Sequence, residues 1–437
     1  MITSHVKSLP LDFVRNKVAA TFSVYKKNSR YKSNKCFRIR RSDDDTEIDI
    51  GFSGIHLDVP SIHNFLKRNI ATSPLMNVDT DSDGVVDDFA SYTSGDVTAT
   101  WSLDSAQKFD ITASTGTGLS YIYQAETITA GQIVNIEVDY KVLGNVTIKA
   151  YIDWYNVGAF ISTSTIVDGI ETTYTRLSNS GLTAPTNTTV GYIRLSVEPN
   201  SNGDTGSAWF KNLNIYKTNL SAFVKTWYDQ SGNGNDATMT TNASQPRIVN
   251  AGTLEVDSKG KPRIYFDGSN DILTIANSAS VDITAQPLFL NCVFAGTGTI
   301  GYMFAKNLDS SATLQYAILY NNGGKKCVTT YLQGTTIRQE TAINSIDYNT
   351  QAIFSLSFAN GAQKGYVNGA SSGNDGNYNS TMTSRANMNI GGRSGSVDGS
   401  TKIELYQGYI SEIIIISNTT NRNKIEKKQS KYYEIQI

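Results

Sequence analysis

From Thr72 onward, apolar and polar residues alternate in short runs with a period of two. IVNIEVDY places Val134, Ile136, Val138 and Tyr140 on one side, and TIKAYIDWY and YIRLSVE do the same. Gly, Asn, Ser and Thr separate the runs. The pattern predicts strands over 97–103, 120–126, 131–142, 146–156, 190–199 and 208–217. A second series, richer in Tyr, Phe and Ile, covers 263–268, 287–296, 301–307, 314–321, 326–334, 352–361, 363–370, 388–393 and 406–417. Nearer the start, CFRIRR (Cys36–Arg41) reads as a strand, with a second short one after the turn that follows. Helices are few. Val18, Ala19, Phe22 and Tyr25 have helical spacing and predict a short helix within 12–28. Pro60 suits the first turn of another. Thr419 or Thr420 can cap a last one with Ile425 and Tyr432 on one face. The expected fold class is all-β: two β-sandwich or jelly-roll domains, short peripheral helices and a C-terminal helix.

Length and charge divide this picture. At 437 residues the chain exceeds one ordinary domain. Its net charge of -1 hides a segregation. Residues 1–41 hold eleven Lys and Arg against one Asp, whereas residues 71–218 hold seven against sixteen Asp and Glu, with no Cys or His. A block with its own composition is a domain candidate. The basic arm either docks on an acidic partner or is simply a differently charged surface. The near-neutral whole gives no reason to expect a nucleic-acid partner. Three Cys and three His exclude a disulfide framework and a multi-histidine metal centre. No apolar run is long enough to span a membrane, and the first 22 residues lack the apolar stretch of a secretory signal, so neither is expected.

One cluster suggests chemistry. DTDSDGVVDD sets Asp79, Asp81 and Asp83 at alternate positions, then Gly84, Asp87 and Asp88. Carboxylates spaced this way around a Gly turn suit a hard, oxygen-seeking cation such as a structural Ca²⁺. A solvated acidic turn is the alternative. No other cofactor is expected. Trp154 and Tyr155, at a strand end, are candidate glycan contacts; the competing reading is core for one ring and surface for the other. Tyr121 and Tyr123 share a face and the same ambiguity.

At WYDQSGNGNDA (Trp227–Ala237) the chain resembles the concanavalin A-like (LamG-like) module shared by the arabinofuranosidase B catalytic domain and many phage and bacterial proteins. CFRIRRSDDDTEIDIGF, GKPRIYFDGSNDIL and YQGYISEIIIIS with the terminal helix carry the same resemblance. In that family the strand ending IGF runs through a short helix into the WYDQSG segment; here about 150 residues intervene. The block between MNVDTDSDGVVDDFASY and AWFKNLNIYK resembles a carbohydrate-binding jelly roll. The resemblance therefore implies three parts: an N-terminal arm over 1–12, a discontinuous sandwich over 13–71 plus 219–437, and an inserted jelly roll over 72–218. Short polar residues of the signature (Asp229, Ser231, Asn233, Asn235) around Gly232 and Gly234 read as a stapled loop, with a sugar contact as the alternative.

The resembled enzymes use a carboxylate pair. None of Asp257, Asp267, Asp271, Asp282, Asp309, Glu340, Asp347, Asp375, Asp398, Glu404 or Glu412 sits in a matching motif, and three separated Cys cannot supply the family's disulfides. No catalytic residue is assigned, and no enzyme activity is expected. The combination of a lectin-like sandwich, few Cys and no export signal reads as a phage virion component: a head fibre, capsid decoration or tail appendage assembled in the host cytoplasm. Such a part would be a homo-oligomer, dimer or trimer, joined to other capsid or tail proteins through the basic arm, with bacterial surface glycans as a candidate ligand. The alternative is a secreted polysaccharide-binding protein or an arabinofuranosidase-like glycoside hydrolase.

Overall fold

A computed structural model describes residues 9, 11–14, 17–116, 118–284, 287–298, 300–307, 314–321, 326–333, 335–341, 348–359, 362–371, 376–377, 387–395, 401–418 and 421–437. The arm up to residue 8 and the proposed caps Thr419 and Thr420 lie outside the described residues. The chain is all-β, with a short helix at Val59–Leu66 and a C-terminal helix at Arg422–Tyr433. It divides into two compact units, Met1–His63 with Leu220–Ile437, and Asn64–Asn219.

In the larger unit, Lys35–Arg41 pairs antiparallel with both Glu47–Ser53 and Ala222–Trp227. Among the described residues it bonds to no strand between 90 and 217. One layer is built on Gln407–Ile416, which pairs along its length with Leu288–Gly296 and, on its other edge, with Val18–Ser23 and Ile264–Asp267. Leu288–Gly296 pairs in turn with Ala352–Ala359. A second layer joins Leu273–Ile275, Met388–Ile390, Ile300–Asn307 and Leu314–Asn321.

The run Ile413–Ile416 breaks the alternation expected of a half-buried strand, and all four residues are fully buried. The reason is a cover on the second face. Ile414 and Ile416 cluster with Leu11, Val14, Phe289 and Ile425, the last on the C-terminal helix. Asn421 caps that helix by accepting from the Lys424 N–H. The helix expected within 12–28 is instead the strand Val18–Ser23. Its helical spacing is real, but five of its six residues are buried against neighbours, so burial on both faces overrides the local pattern.

A buried ion pair ties these elements together. Lys27 and Glu412 are both fully buried and in direct contact. The Lys27 ammonium also donates to the Tyr25 hydroxyl at 2.6 Å. Glu412 accepts from Gln429 (2.7 Å), Ser23 (3.2 Å) and Tyr433 (3.2 Å). Burial lowers the Lys27 pKa to about 8, with Glu412 opposing the shift.

The smaller unit is two stacked antiparallel sheets. One runs in the order Thr175–Thr183, Ile133–Gly144, Gly206–Lys217, Gln107–Ser114 and Val97–Leu103, with Arg68–Asn69 also on Gly206–Lys217. The other runs Ala159–Gly169, Val146–Asn156, Val190–Pro199, Ser120–Thr127 and Ala90–Thr93. Their inward positions, among them Val134, Ile136, Ile148, Ile152, Ile193, Leu195 and Phe210, form one core.

Breaking one side of the buried pair should be severe. Glu412→Ala is expected to lower the unfolding free energy in denaturant titration by about 3–5 kcal/mol, because it leaves Lys27 buried without a counter-charge. Lys27→Met combined with Glu412→Leu should recover part of that loss. A single variant as stable as the parent would contradict this view of the network.

Candidate functional site

The five-stranded sheet of the smaller unit has an unusual outer face. Alternation sends Ile122, Ile152, Trp154, Ile193 and Leu195 inward, and turns Tyr121, Tyr123, Tyr151, Tyr155, Tyr192 and Arg194 outward. Register brings them together. Tyr151 lies opposite Arg194, Arg194 opposite Tyr123, and Tyr121 opposite Tyr92. The rings form an unbroken file across the strands: Phe160–Tyr155 at 5.6 Å, Tyr155–Tyr192 at 5.0 Å, Tyr192–Tyr123 at 5.8 Å, Tyr123–Tyr121 at 5.9 Å and Tyr121–Tyr92 at 5.1 Å. Its ends are open, with Tyr92 49% and Phe160 58% exposed.

Arg194 sits within the file. Its guanidinium lies 4.6 Å from the Tyr121 ring centre and 5.7 Å from that of Tyr151, and pairs with Asp153 at 2.9 Å. Asp153 is itself buried and also accepts from the Thr163 hydroxyl. Burial raises the phenol pKa of Tyr121 and Tyr151, so both keep their protons and can donate. Tyr rings offer an apolar body with a polar tip, and a guanidinium–carboxylate pair offers fixed donors and acceptors. Together they can hold a ligand that is apolar on its flat faces and rich in hydroxyls at its edges.

The acidic loop is placed in the same unit. Ligand oxygens of Asp79, Asp81 and Asp87 lie within 4.8 Å of one another and could coordinate a metal ion. Backbone donors shape the loop: Asp79 accepts from Ser82 (2.8 Å) and Gly84 (2.9 Å), and Asp87 accepts from Thr80 (2.8 Å). Asp81 has a raised pKa because it shares a hydrogen bond with the Asp79 carboxyl, the mark of crowded acids. Gly84 has φ +87°, and a Cβ there would meet the Trp101 carbonyl at 2.4 Å, so only glycine fits. Asp83 and Asp88 fall outside the three-residue group but line a small cavity together with Asp81 and Asp87, and Asp83 accepts from the Val85 N–H at 2.7 Å.

Trp154 and Tyr155 part company. Trp154 is fully buried, with its indole N–H on Ser164 at 2.9 Å, and has no surface for a sugar. Tyr155 is part of the ring file. The candidate pair is thus corrected to one residue, because adjacent strand positions face opposite ways. Tyr92, Tyr151, Tyr192, Arg194 and Phe160 were not singled out from the sequence. Their outward parity was readable, but the strand order that assembles them was not.

In the larger unit the signature loop is stapled. Asp229 accepts from the backbone of Thr21 (2.8 Å), Ser231 (2.8 Å) and Asn235 (3.1 Å) and from the Ser231 hydroxyl (2.6 Å). Trp227 is fully buried. A cavity of about 320 Å³ is lined by Arg40, Phe223, Gln245, Arg247, Tyr265, Asp267 and Asp271. Burial, helped by the Asp267 charge, pushes the Asp271 carboxyl up to about 7. Asp271 accepts from the Asp267 N–H at 2.9 Å, and Asp267 accepts from Ser269, Asn270 and Asp271.

No family model matches the chain, and no curated protein matches it. Solved structures do. A GH54 α-L-arabinofuranosidase soaked with a cyclic sulfate inhibitor aligns over 95% of this chain and 62% of its own, at 9% identity and a TM-score of 0.48. This chain therefore spans somewhat under two thirds of that enzyme. TmCBM61, solved in complex with β-1,4-galactotriose, aligns over 34% of this chain and 99% of its own, at 12% identity and a TM-score of 0.24. The enzymatically active domain of bacteriophage CBA120 tailspike protein 4 aligns over 33% of this chain and 22% of its own, at 16% identity and a TM-score of 0.24. At such identities the likeness is one of fold alone: a β-sandwich and jelly-roll architecture resembling carbohydrate-active enzyme domains. It corrects the expectation of a non-enzymatic virion component. The broad matches are to glycoside-hydrolase folds and do not point specifically to a phage virion part. No helix among the described residues is long and apolar enough to cross a membrane.

Proposed function

We propose that this is a carbohydrate-active protein that holds a glycan chain on the tyrosine face of the Asn64–Asn219 unit. The observation that carries the reading is the continuous file of rings, with the Arg194–Asp153 pair inside it. A continuous row of half-buried rings with exposed ends on one face of a small domain marks a binding surface. The charges on the face are internally paired, Arg194 with Asp153 and Lys149 with Glu198, which favours an uncharged polysaccharide. In this reading residues 72–218 are a carbohydrate-binding jelly roll inserted in a concanavalin-like sandwich formed by 13–71 and 219–437. A Ca²⁺ ion on Asp79, Asp81 and Asp87 would steady the loop structurally, since three crowded carboxylates repel one another without a cation.

A hydrolytic role for the larger unit has one observation in its favour. Asp271 is held near neutrality beside Asp267, in a cavity that also offers Arg247 and Tyr265. A proton-loaded carboxyl beside a second carboxyl is the pairing that glycoside hydrolysis uses.

Three outcomes are expected. In affinity electrophoresis against soluble neutral polysaccharides, at least one should retard the protein, and Tyr123→Ala or Tyr192→Ala should weaken binding about tenfold, or about 1.4 kcal/mol. No retardation by any of them, or full retardation of both variants, would refute the glycan reading. Millimolar Ca²⁺ should raise the melting temperature, and Asp79→Asn should abolish the rise; an unchanged melting temperature removes the ion. If the cavity is catalytic, release of nitrophenol from an aryl arabinofuranoside should fall as pH rises through about 7, where Asp271 loses its proton, and Asp271→Asn should cost at least about 10²-fold. Absent or unaltered turnover excludes that role.

A further inference from the structure

The opposite sheet of the same unit carries a second assembly of rings and charges, of different chemistry. Trp209 lies on its outer face, directly between Lys141 and Lys108 in cross-strand register. The Lys141 ammonium sits 4.1 Å from the Trp209 ring and 5.0 Å from that of Tyr174. Lys108 lies 5.3 Å from Trp209, and Lys211 lies 3.7 Å from Tyr174. Tyr174 is 39% exposed. Trp209 is 7% exposed, and its indole N–H, like those of Trp101 and Trp227, has no hydrogen-bond partner within the protein. Buried indole N–H groups ordinarily find an acceptor. The lysine groups beside this one are ammonium ions, which only donate.

The acids of the face are largely committed elsewhere. Asp110 pairs with Lys108 at 2.9 Å. Asp139 and Glu137 hold Arg176 at 2.7 and 3.0 Å, and Asp139 also takes Asn212 at 2.7 Å. Asp104, on the neighbouring turn, and Asp139 both act on Tyr174 through their charge, and Asp139 lies cross-strand from Lys211 and feels its charge. Among the described residues, neither Lys141 nor Lys211 has a carboxylate within ion-pair distance. Two ammonium groups outside ion-pair distance of a carboxylate, an indole N–H lacking an acceptor and a half-open phenol ring thus meet on one patch.

We propose that this patch is a second saccharide site, specific for a sugar bearing a carboxylate, such as a uronate at the end of an otherwise neutral chain. The carboxylate takes the ammonium groups of Lys141 and Lys211 and supplies the acceptor that Trp209 lacks, while the sugar ring packs on Tyr174. The surrounding charge favours a single carboxylate over a polyanion. Residues 71–218 hold seven Lys and Arg against sixteen Asp and Glu. Attraction to two lysines fades over a screening length of about 8–10 Å, and a polyphosphate running past the patch meets like charge.

The test uses the full chain and three probes: a neutral oligosaccharide, the same oligosaccharide capped with glucuronate, and a short oligothymidylate. Isothermal titration should give at least fivefold tighter binding of the capped than of the uncapped sugar, and the preference should shrink between 50 and 300 mM salt. Lys141→Met with Lys211→Met should erase the preference. The difference in tryptophan emission between the parent and Trp209→Phe should respond to the capped sugar alone. Tyr123→Ala should leave the preference intact, because the two faces share no residue; its affinity for the uncapped sugar reports separately on the tyrosine face. Equal binding of the two sugars, a preference that survives the double lysine change in a variant of unchanged melting temperature, or tighter binding of the oligothymidylate would each overturn the proposal.

Discussion

The ladder between Lys35–Arg41 and Ala222–Trp227 is the constraint on which the rest of the molecule depends. It joins residues about 180 positions apart and is clamped at its far end, where the Ser42 N–H donates to the Ser221 carbonyl and the Ser221 N–H to the Ser42 hydroxyl. At its near end Trp227 packs between Phe22 and Phe37, with ring centres 5.7 and 5.8 Å away. The ladder brings both ends of the intervening chain together, and that chain builds a core of its own. Closing so long a loop costs little more than closing a shorter one, since the entropic term grows only with the logarithm of length.

Inside the Asn64–Asn219 unit, one rule does two jobs. The period of two that buries Ile148, Ile152 and Trp154 also presents Tyr151 and Tyr155. Core and ring file are therefore built from the same strands, and a sound core fixes where the rings stand. The two outer faces differ in chemistry while resting on a single core. One carries rings with paired charges; on the other, Lys141 and Lys211 lie on rings outside ion-pair distance of a carboxylate.

Much of the fold could be read from the sequence, because alternation reports burial directly. The strands Val97–Leu103, Val146–Asn156, Val190–Pro199 and Leu314–Asn321 have the bounds the pattern predicts. Gln107–Ser114 and Thr175–Thr183 escaped it: each is short of large apolar residues and rich in Thr, Ser, Asn or Lys. Val18–Ser23 was misread as helix because burial on both faces erases the period of two. Trp154 shares parity with Ile148 and Ile152, so its place in the core was legible; Tyr155 was legible as its outward neighbour. The site as a whole was not. Tyr123, Tyr192 and Arg194 become neighbours only through a strand order, Ser120–Thr127 beside Val190–Pro199 beside Val146–Asn156, that no local pattern encodes.

The central claim is that a neutral glycan lies along the tyrosine file. The most direct measurement is an NMR titration of the protein with ring-labelled tyrosine, using the neutral oligosaccharide that binds best. The account predicts that the ring signals of Tyr121, Tyr123, Tyr155 and Tyr192 shift together along one saturable curve, while those of Tyr25 and Tyr433, buried in the larger unit, stay fixed. Shifts confined to the larger unit, or none at saturating sugar, would contradict it.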